Sequence, residues 1–418
     1  MLINTHCHVF NLQSVFTPAT KHILEYRMRE AGLAKGFIKF ISRNLENYIK
    51  NGGGLTPKER TGKSGKAFED FIDSYQSKRM NAGDLWTFVT IALAKNMDMV
   101  TDYLLGQMDP DDIIAPLMMD ITDGSDASSE LFQKQCDRTL GQCLRYPGRV
   151  LPFYALNPVQ PRALQRMQDV IEQGAFVGMK LYPSLGYKIK GDGKWKGILD
   201  VLELCDSKGF PVMQHASQGG FYANKYYILN GFPGAWIPYL FRKEKPYLDN
   251  IRVCFAHFGG KENEVAASTR VNAKDTWARV ILRMMDGSIN NYDAGPSDRI
   301  FTDVSCMADA AKTTGYFKAL NTYLRHETYG SQILWGSDYF LVEMSTNEEN
   351  FRTSYQSGIS RPKLWKRLTL DNPRRFLGLN LADPMRSEPN ILAHIAFLRQ
   401  HKSKLNMKRA AEWVKGVV

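Results

Sequence analysis

The sequence predicts an α/β fold, a (β/α)8 TIM barrel with a large helical insertion after the first strand and a C-terminal helical extension. Eight short apolar runs rich in β-forming residues recur along the 418 residues. Amphipathic segments lie between these runs, and some end in a glycine of the kind that closes a helix. Continuous apolar strands that alternate with helices are typical of a parallel sheet covered by helices, and eight such units favour a closed barrel.

The candidate strands are evenly spaced except for the first pair. A helical insertion over about residues 12–110 is predicted to fill that gap, and a helical extension is predicted from about residue 386 to 418. Asn372 before Pro373 predicts the N-cap of the last barrel helix. We expect residues 1–418 to form a single domain. The predicted strands are residues 1–6, 113–122, 149–158, 175–183, 210–217, 251–260, 300–307 and 333–340.

The composition of the chain limits the kinds of molecule that the protein is expected to bind. The formal net charge is +11, but the basic residues are spread along the chain without a zinc-finger or RNA-binding signature. No apolar run reaches the roughly 18 residues that a membrane-spanning helix needs. Six cysteines without CxxC spacing favour reduced thiols. We therefore expect a cytoplasmic protein that acts on a small-molecule substrate, with no nucleic acid and no membrane as partner, and leave a homo-oligomer open.

The opening MLINTHCHVF places two histidines on the first predicted strand. Because side chains alternate along a strand, His6 and His8 point to one side and Cys7 to the other. If this strand lines a barrel, both imidazoles face its interior and can converge on a cation. Cys7 then faces the helical layer as a small buried apolar residue. Taken alone, such a pair is more typical of a core or a surface than of a metal site.

Other polar side chains fall at the ends of later strands. His215 ends the fifth predicted strand, His257 ends the sixth, and Asp338 follows the eighth in LWGSDYF. Four imidazoles around one barrel mouth would be costly to bury without a cation or other partners. Asp338 adds a carboxylate at the end of strand eight, although alone it would be interpreted as a helix N-cap or a turn residue.

Lys180 in GMKLYP ends the fourth predicted strand. A lysine aimed into a barrel must meet an anion or lose its charge. Three roles stay open. Lys180 is carbamylated by carbon dioxide to give a carboxylate that bridges two metals, it binds substrate as an ammonium, or it pairs structurally with Asp338 or another acid.

The order of these residues resembles the amidohydrolase superfamily of metal-dependent barrel enzymes: His-x-His on strand one, Lys on strand four, His on strands five and six, and Asp on strand eight. DNPRRFLGL near the end looks like the signature of the amidohydrolase-2 branch, which holds hydrolases and decarboxylases. GMKLYP followed by FPVMQH is similar to the corresponding strands of dihydroorotase. The sequence departs from many relatives at Asn4, where they have Asp, which changes the surroundings of the ligands and not a ligand itself.

In one-metal relatives, the resemblance implies that His6, His8 and Asp338 bind the ion, that His215 completes the site, and that His257 polarises the substrate or moves protons. In two-metal relatives, a carbamylated lysine joins the ions, and the histidines of strands five and six hold the second. The sequence supplies every residue for both forms, so one ion or two stays open. Zinc is the expected divalent metal because nitrogen ligands dominate.

The predicted function is metal-dependent hydrolysis of an amide, lactone or ester bond in a small molecule. An acidic substrate would fit the positive net charge of the protein. A metal-activated water would attack the substrate, and Asp338 would act as ligand and base. The expected catalytic residues are Asp338, His257 and Lys180. Two alternatives stay open, namely non-oxidative decarboxylation by the same site and a non-catalytic barrel.

Overall fold

The computed structural model of this chain describes residues 1–15, 20–22, 25–26, 29, 91–92, 94–121, 125–158, 160–190, 197–241, 248–269, 276–289 and 297–418. Most of the predicted helical insertion lies outside these ranges. Its described parts include helices α1 (Leu12–Val15) and α2 (Met97–Gly106). The single domain over residues 1–418 stays a prediction.

Parallel strands form the centre of the fold. In the described residues they are β1 (Ile3–Cys7), β2 (Ile113–Pro116), β3 (Phe153–Ala155), β4 (Gly178–Leu181), β5 (Val212–Gln214), β6 (Val253–Phe255), β7 (Ile300–Asp303) and β8 (Ile333–Leu334). β1 pairs with β2, and β3 to β8 form a six-stranded sheet in sequence order. Every strand residue is buried, as expected for a parallel sheet covered on both faces. All but β1 fall within the predicted runs, and β1 extends one residue further.

Hydrogen bonds join the two sheets at both seams. The Ile114 amide donates to the Arg149 carbonyl over 2.8 Å, which links β2 to the segment before β3. The Thr5 amide donates to the Trp335 carbonyl over 3.0 Å, which links β1 to the segment after β8. This strand order, bonded across both seams, is that of the predicted (β/α)8 barrel.

Helices connect the strands and cover them. Ser125 caps the first residues of helix α3 (Asp126–Arg145) through its side chain. Helix α4 (Ala163–Gln173) is followed by Gly174, whose φ of 76° is the left-handed conformation that favours glycine. The helices are α3 (Asp126–Arg145), α4 (Ala163–Gln173), α5 (Gly197–Ser207), α6 (Ile237–Leu240), α7 (Glu262–Ala267), α8 (Trp277–Asp286), α9 (Tyr316–Arg325), α10 (Glu348–Gly358), α11 (Pro362–Lys366), α12 (Asn372–Leu377), α13 (Pro389–Gln400) and α14 (Glu412–Lys415).

The C-terminal extension packs against the end of the barrel at which the strands begin. His394 of α13 hydrogen-bonds through Nδ1 to the Ala175 carbonyl over 2.7 Å, just before β4. Trp413 of α14 donates through Nε1 to the Gly148 carbonyl over 2.9 Å, ahead of β3. The extension therefore leaves the opposite end of the barrel free. None of the helices in the described ranges is long and apolar enough to cross a membrane.

The predicted N-cap role of Asn372 is wrong. A π-helical turn (Arg367–Asp371) runs directly into α12, so Asn372 already has helical backbone angles. Its buried amide instead donates to the carbonyls of Gly330, over 2.9 Å, and Ile333, over 2.7 Å. Asn372 lies inside the helix instead of capping it, because its side-chain amide supplies the donors that these two buried carbonyls need.

Candidate metal centre

The six predicted site residues lie at the carboxyl-terminal ends of the strands, the face on which barrel enzymes build their sites. All six are buried, with exposed fractions of 6% or less. They are His6 in β1, His8 directly after it, Lys180 in β4, His215 after β5, His257 after β6 and Asp338 after β8. Cys7, between the first two histidines, packs in the apolar core as expected from the alternation.

Asp338 faces the two histidines of the first strand. Its Oδ1 lies 3.2 Å from Nε2 of His8 and 3.4 Å from Nε2 of His6. Oδ1 nevertheless accepts no well-aligned hydrogen bond and is buried. Ligands around a tetrahedral zinc at about 2.0–2.1 Å would lie about 3.3–3.4 Å apart, so this spacing fits a shared cation. The three residues form one of two His/Asp groups in the described residues that could hold a metal ion.

The backbone aims Asp338 into this group. Its φ of 63° is left-handed, and its amide donates to the His6 carbonyl over 2.8 Å. Burial alone would raise the pKa of the Asp338 carboxyl, but the contact with His8 and the charge interaction with His6 outweigh burial and hold the pKa well below its usual range. The group is therefore a carboxylate at neutral pH, as a metal ligand must be.

Hydrogen bonds turn Nε2 of both histidines towards Asp338. Nδ1 of His8 lies 2.9 Å from the Leu117 carbonyl, which can only accept, so Nδ1 donates there and Nε2 is the nitrogen left to bind a cation. Nδ1 of His6 lies 2.8 Å from Oδ2 of Asp303. Burial, with a smaller contribution from the charge of Lys180, lowers the pKa of His6 to about 3. A neutral imidazole is the form that binds metal.

The structure brings His257 to the centre but not His215. The His257 ring lies 4.7 Å from the His6 ring, centroid to centroid. Nδ1 of His215 lies 3.0 Å from Nε2 of His257, and its Nε2 lies 3.2 Å from the Gly219 carbonyl. The His215 ring also stacks on Tyr182 with centroids 4.1 Å apart. Both ring nitrogens of His215 thus have protein partners, and it belongs to neither metal-binding group in the described residues.

Lys180 lies beside the centre with a free amine. Its Nζ is buried, has no hydrogen-bond partner, and lies 5.8 Å from the centre of the Tyr182 ring. Burial lowers the pKa of Lys180 to about 8 against the opposing attraction of Asp303 and Asp338. The amine can therefore receive an anionic group, and near neutral pH a fraction of it is unprotonated.

Asp303 is a site residue that the sequence analysis missed. It ends β7 in the run IFTDVSCM, is fully buried, and forms with His6 and His257 the second group that could hold a metal ion. Both of its oxygens already accept hydrogen bonds. Asp338 Oδ1 accepts none, so the group around Asp338 is the better cation site. Applying the strand-end rule to carboxylates as well as histidines would have found Asp303.

A small apolar cluster, separate from the main core, lies beside the centre. It consists of Val15, Met119, Ile121 and Tyr182, with four partly buried neighbours that include Phe10. The Phe10 ring lies 5.2 Å from the His8 ring, so the cluster adjoins the first ligands. Apolar walls around a few polar groups are typical of small-molecule sites.

The solved structures to which this chain is similar include three enzymes. A 4-oxalomesaconate hydratase from Rhodopseudomonas palustris is 12% identical, with a TM-score of 0.50 over 96% of this chain and 100% of that one. A 5-carboxyvanillate decarboxylase from Novosphingobium aromaticivorans, solved with manganese, is 12% identical, with a TM-score of 0.49 over 91% and 97%. A putative 2-pyrone-4,6-dicarboxylic acid hydrolase from Pseudomonas putida is 16% identical, with a TM-score of 0.43 over 67% and 87%. No curated protein matches significantly.

The family comparison covers most of the chain. The amidohydrolase model of the amidohydrolase-2 branch matches residues 3–379, a range that holds all eight described strands and all six predicted site residues. This match shows the family of the chain and does not determine the particular reaction. The chain belongs to the amidohydrolase family of enzymes.

Proposed function

We propose that this protein is a zinc-dependent hydrolase that cleaves an amide, lactone or ester bond in a small acidic molecule. The observation that carries the proposal is the approach of Asp338 Oδ1 to Nε2 of His6 and of His8, without a well-aligned hydrogen bond to either. Two imidazoles and a carboxylate suit zinc. A bound divalent cation would lower the pKa of a water from 15.7 to about 7 and polarise the substrate carbonyl.

Asp338 is the proposed general base. Its carboxylate is ionised at neutral pH, and its buried Oδ1 accepts no well-aligned hydrogen bond, so it can take a proton from the attacking water. The same group then returns the proton to the leaving atom. We propose that His257 polarises the substrate or moves a proton through His215. In support, the His257 ring lies next to the His6 ring, and Nε2 of His257 lies 3.0 Å from Nδ1 of His215.

Lys180 is the proposed anchor for an anionic group of the substrate. Its unpartnered Nζ lies in the same site as Asp338, and the apolar cluster with Tyr182 can hold the remainder of a small molecule. We propose one cation per chain, held by His6, His8 and Asp338, and an unmodified lysine. His215 is held by Gly219 and by His257, so in this proposal it is not a ligand.

The six unpaired cysteines fit a reducing compartment, and we propose a cytoplasmic protein that acts on a small molecule without nucleic acid or membrane as partner.

The test combines metal analysis with a substrate screen that measures both hydrolysis and carbon dioxide release. We expect about one zinc per chain in freshly purified protein, loss of hydrolysis after chelation, and recovery when zinc is returned. Carbon dioxide release without hydrolysis would replace the proposal by the alternative, non-oxidative decarboxylation. Protein that binds neither zinc nor another divalent metal, and turns over nothing, would leave the non-catalytic barrel.

A further inference from the structure

Asp303 at the end of β7 connects three parts of the centre through one buried carboxylate. Its Oδ2 lies 2.8 Å from Nδ1 of His6 in β1. Its Oδ1 accepts from the amide of His257 over 2.8 Å, from the amide of Ser305 over 3.1 Å, and from the hydroxyl of Ser305. The thiol of Cys254 in β6 approaches Oδ2 at 3.8 Å.

These contacts determine which nitrogen of His6 carries the hydrogen. A carboxylate only accepts, so Nδ1 of His6 must donate to Asp303. Ser305 Oγ also lies 3.1 Å from this Nδ1, but its single hydrogen is directed to Oδ1 of Asp303. In the neutral ring Nε2 then has the lone pair, and this is the nitrogen that faces Asp338 at 3.4 Å.

We propose that Asp303 is a positioning residue that fixes His6 in the Nδ1–H tautomer and so makes Nε2 available to a cation. A carboxylate behind a ligating histidine orients the ring and strengthens the ligand. Asp303 also holds the turn that carries His257, through the His257 amide. The inference rests on the proposed metal function for its purpose, but the tautomer itself can be measured in metal-free protein.

An isosteric change should reverse the tautomer. In Asp303→Asn, the oxygen side of the amide must face the His257 and Ser305 amides, since backbone N–H groups cannot rotate away. The amide NH2 then faces Nδ1 of His6, which can only accept there. The His6 hydrogen moves to Nε2, which points at Asp338 and no longer has a lone pair for a metal.

The experiment measures the histidine nitrogens directly. Protein labelled with isotopic nitrogen in histidine is freed of metal, and two-bond nitrogen–proton correlations identify the tautomer, with the His6 signals assigned from His6→Gln. We expect Nδ1–H in the wild type and Nε2–H in folded D303N. Competition with a chromophoric chelator should show zinc binding weakened about 10- to 100-fold in D303N. The matched control D309N removes an exposed carboxylate that pairs with Lys312 and should change neither quantity.

The outcomes separate this inference from the proposed function. A wild-type His6 with its hydrogen on Nε2 overturns the inference even if D303N does not fold. An unchanged tautomer in folded D303N overturns it as well. Wild-type protein that binds no divalent metal, with the tautomer reversed in D303N, refutes the metal function and leaves the effect of Asp303 on His6 established.

Discussion

Oδ1 of Asp338 lies 3.2 Å from Nε2 of His8, so the loop after the last strand meets the residue that follows the first strand. Neither partner satisfies the other with a well-aligned hydrogen bond, and both are buried. Such an approach would cost free energy if no cation or proton were shared, because the carboxylate would lie desolvated and unpaired. The contact is therefore the strongest structural indication of a metal site in the described residues.

Asp338→Asn should keep the fold and remove most of the activity. The amide has the shape of the carboxylate but cannot accept a proton from water, and loss of a general base typically reduces turnover about 10²- to 10⁴-fold. Circular dichroism and kcat on the substrate found by the screen would measure the two effects. A folded variant with near-normal kcat would refute the role of Asp338.

Lys180→Met should leave the metal content at one ion per chain. Under the proposal the lysine binds substrate and not metal, so the substitution should raise KM while the metal stoichiometry stays the same. Elemental analysis, together with the intact mass of the wild type, checks this, and Lys312→Met at an exposed position serves as control. Two ions in the wild type that fall to fewer in K180M, with carbon dioxide bound to the lysine, would show a carbamate bridge instead.

Gly220→Ala should destabilise the protein mainly because the added methyl group collides with side chains around His215, and less because of backbone strain. Gly220 has a φ of 79°, and an added Cβ would lie 2.6 Å from the Tyr182 hydroxyl and 2.9 Å from Cε1 of His215. Gly315→Ala is the matched control, because its φ of 86° is similar but an added Cβ there meets nothing within 4 Å. In denaturant unfolding, the free energy of unfolding of the control should fall by about 1–2 kcal/mol, because alanine is strained in the left-handed conformation. The free energy of unfolding should fall further in G220A, and kcat/KM should fall in G220A alone. Equal effects in both variants would show that the added methyl group does not collide with Tyr182 and His215.

Glu348→Gln should change how stability depends on pH. Burial, aided by the charge of Glu343, raises the pKa of Glu348 to about 7 from the ordinary 4.5. Glu348 holds its proton more tightly in the folded state than in the unfolded state. Its contribution to the free energy of unfolding is therefore fully present below about pH 4.5 and is lost as pH rises through about 7. Glutamine resembles the protonated acid, so E348Q should lose less stability than the wild type across this window, by up to about 3 kcal/mol. Urea unfolding at several pH values measures the difference, with exposed Glu349→Gln as control; parallel curves for wild type and E348Q would refute it.

Asn372→Ala should destabilise the barrel without touching the site. Its side-chain amide supplies donors to the buried carbonyls of Gly330 and Ile333, and an unsatisfied buried acceptor costs about 1–3 kcal/mol. Unfolding free energies of N372A and of the exposed control Asn350→Ala would measure this. An effect no larger than that of the control would show that water replaces the amide.

The barrel and the position of the candidate metal centre could be predicted from two simple patterns, the alternation of side chains along a strand and the alternation of strands with helices. Alternation along β1 puts His6 and His8 on one face and Cys7 on the other, and the carboxyl ends of parallel strands meet at one mouth. The same reasoning placed Lys180 and His257 beside them. These inferences need only the position of each strand, which apolar runs show well.

Other details depend on loop and turn conformations that no sequence periodicity predicts. β8 is only Ile333–Leu334, and Asp338 reaches the centre through a left-handed residue beyond it. The direction of the His215 ring depends on the Gly219 carbonyl, which a loop supplies. Asn372 was misassigned because a sequence cap signal cannot reveal a pair of distant carbonyls in need of a donor.

The bonded seam between β1 and the segment after β8 has a consequence for biosynthesis. A chain emerging from the ribosome exposes His6 and His8 first, but Asp338 and the seam become available only after nearly the whole barrel has been translated. Nascent fragments therefore lack the complete set of ligands, and capture of the cation under the proposed function is a late event that depends on the two ends of the barrel having met.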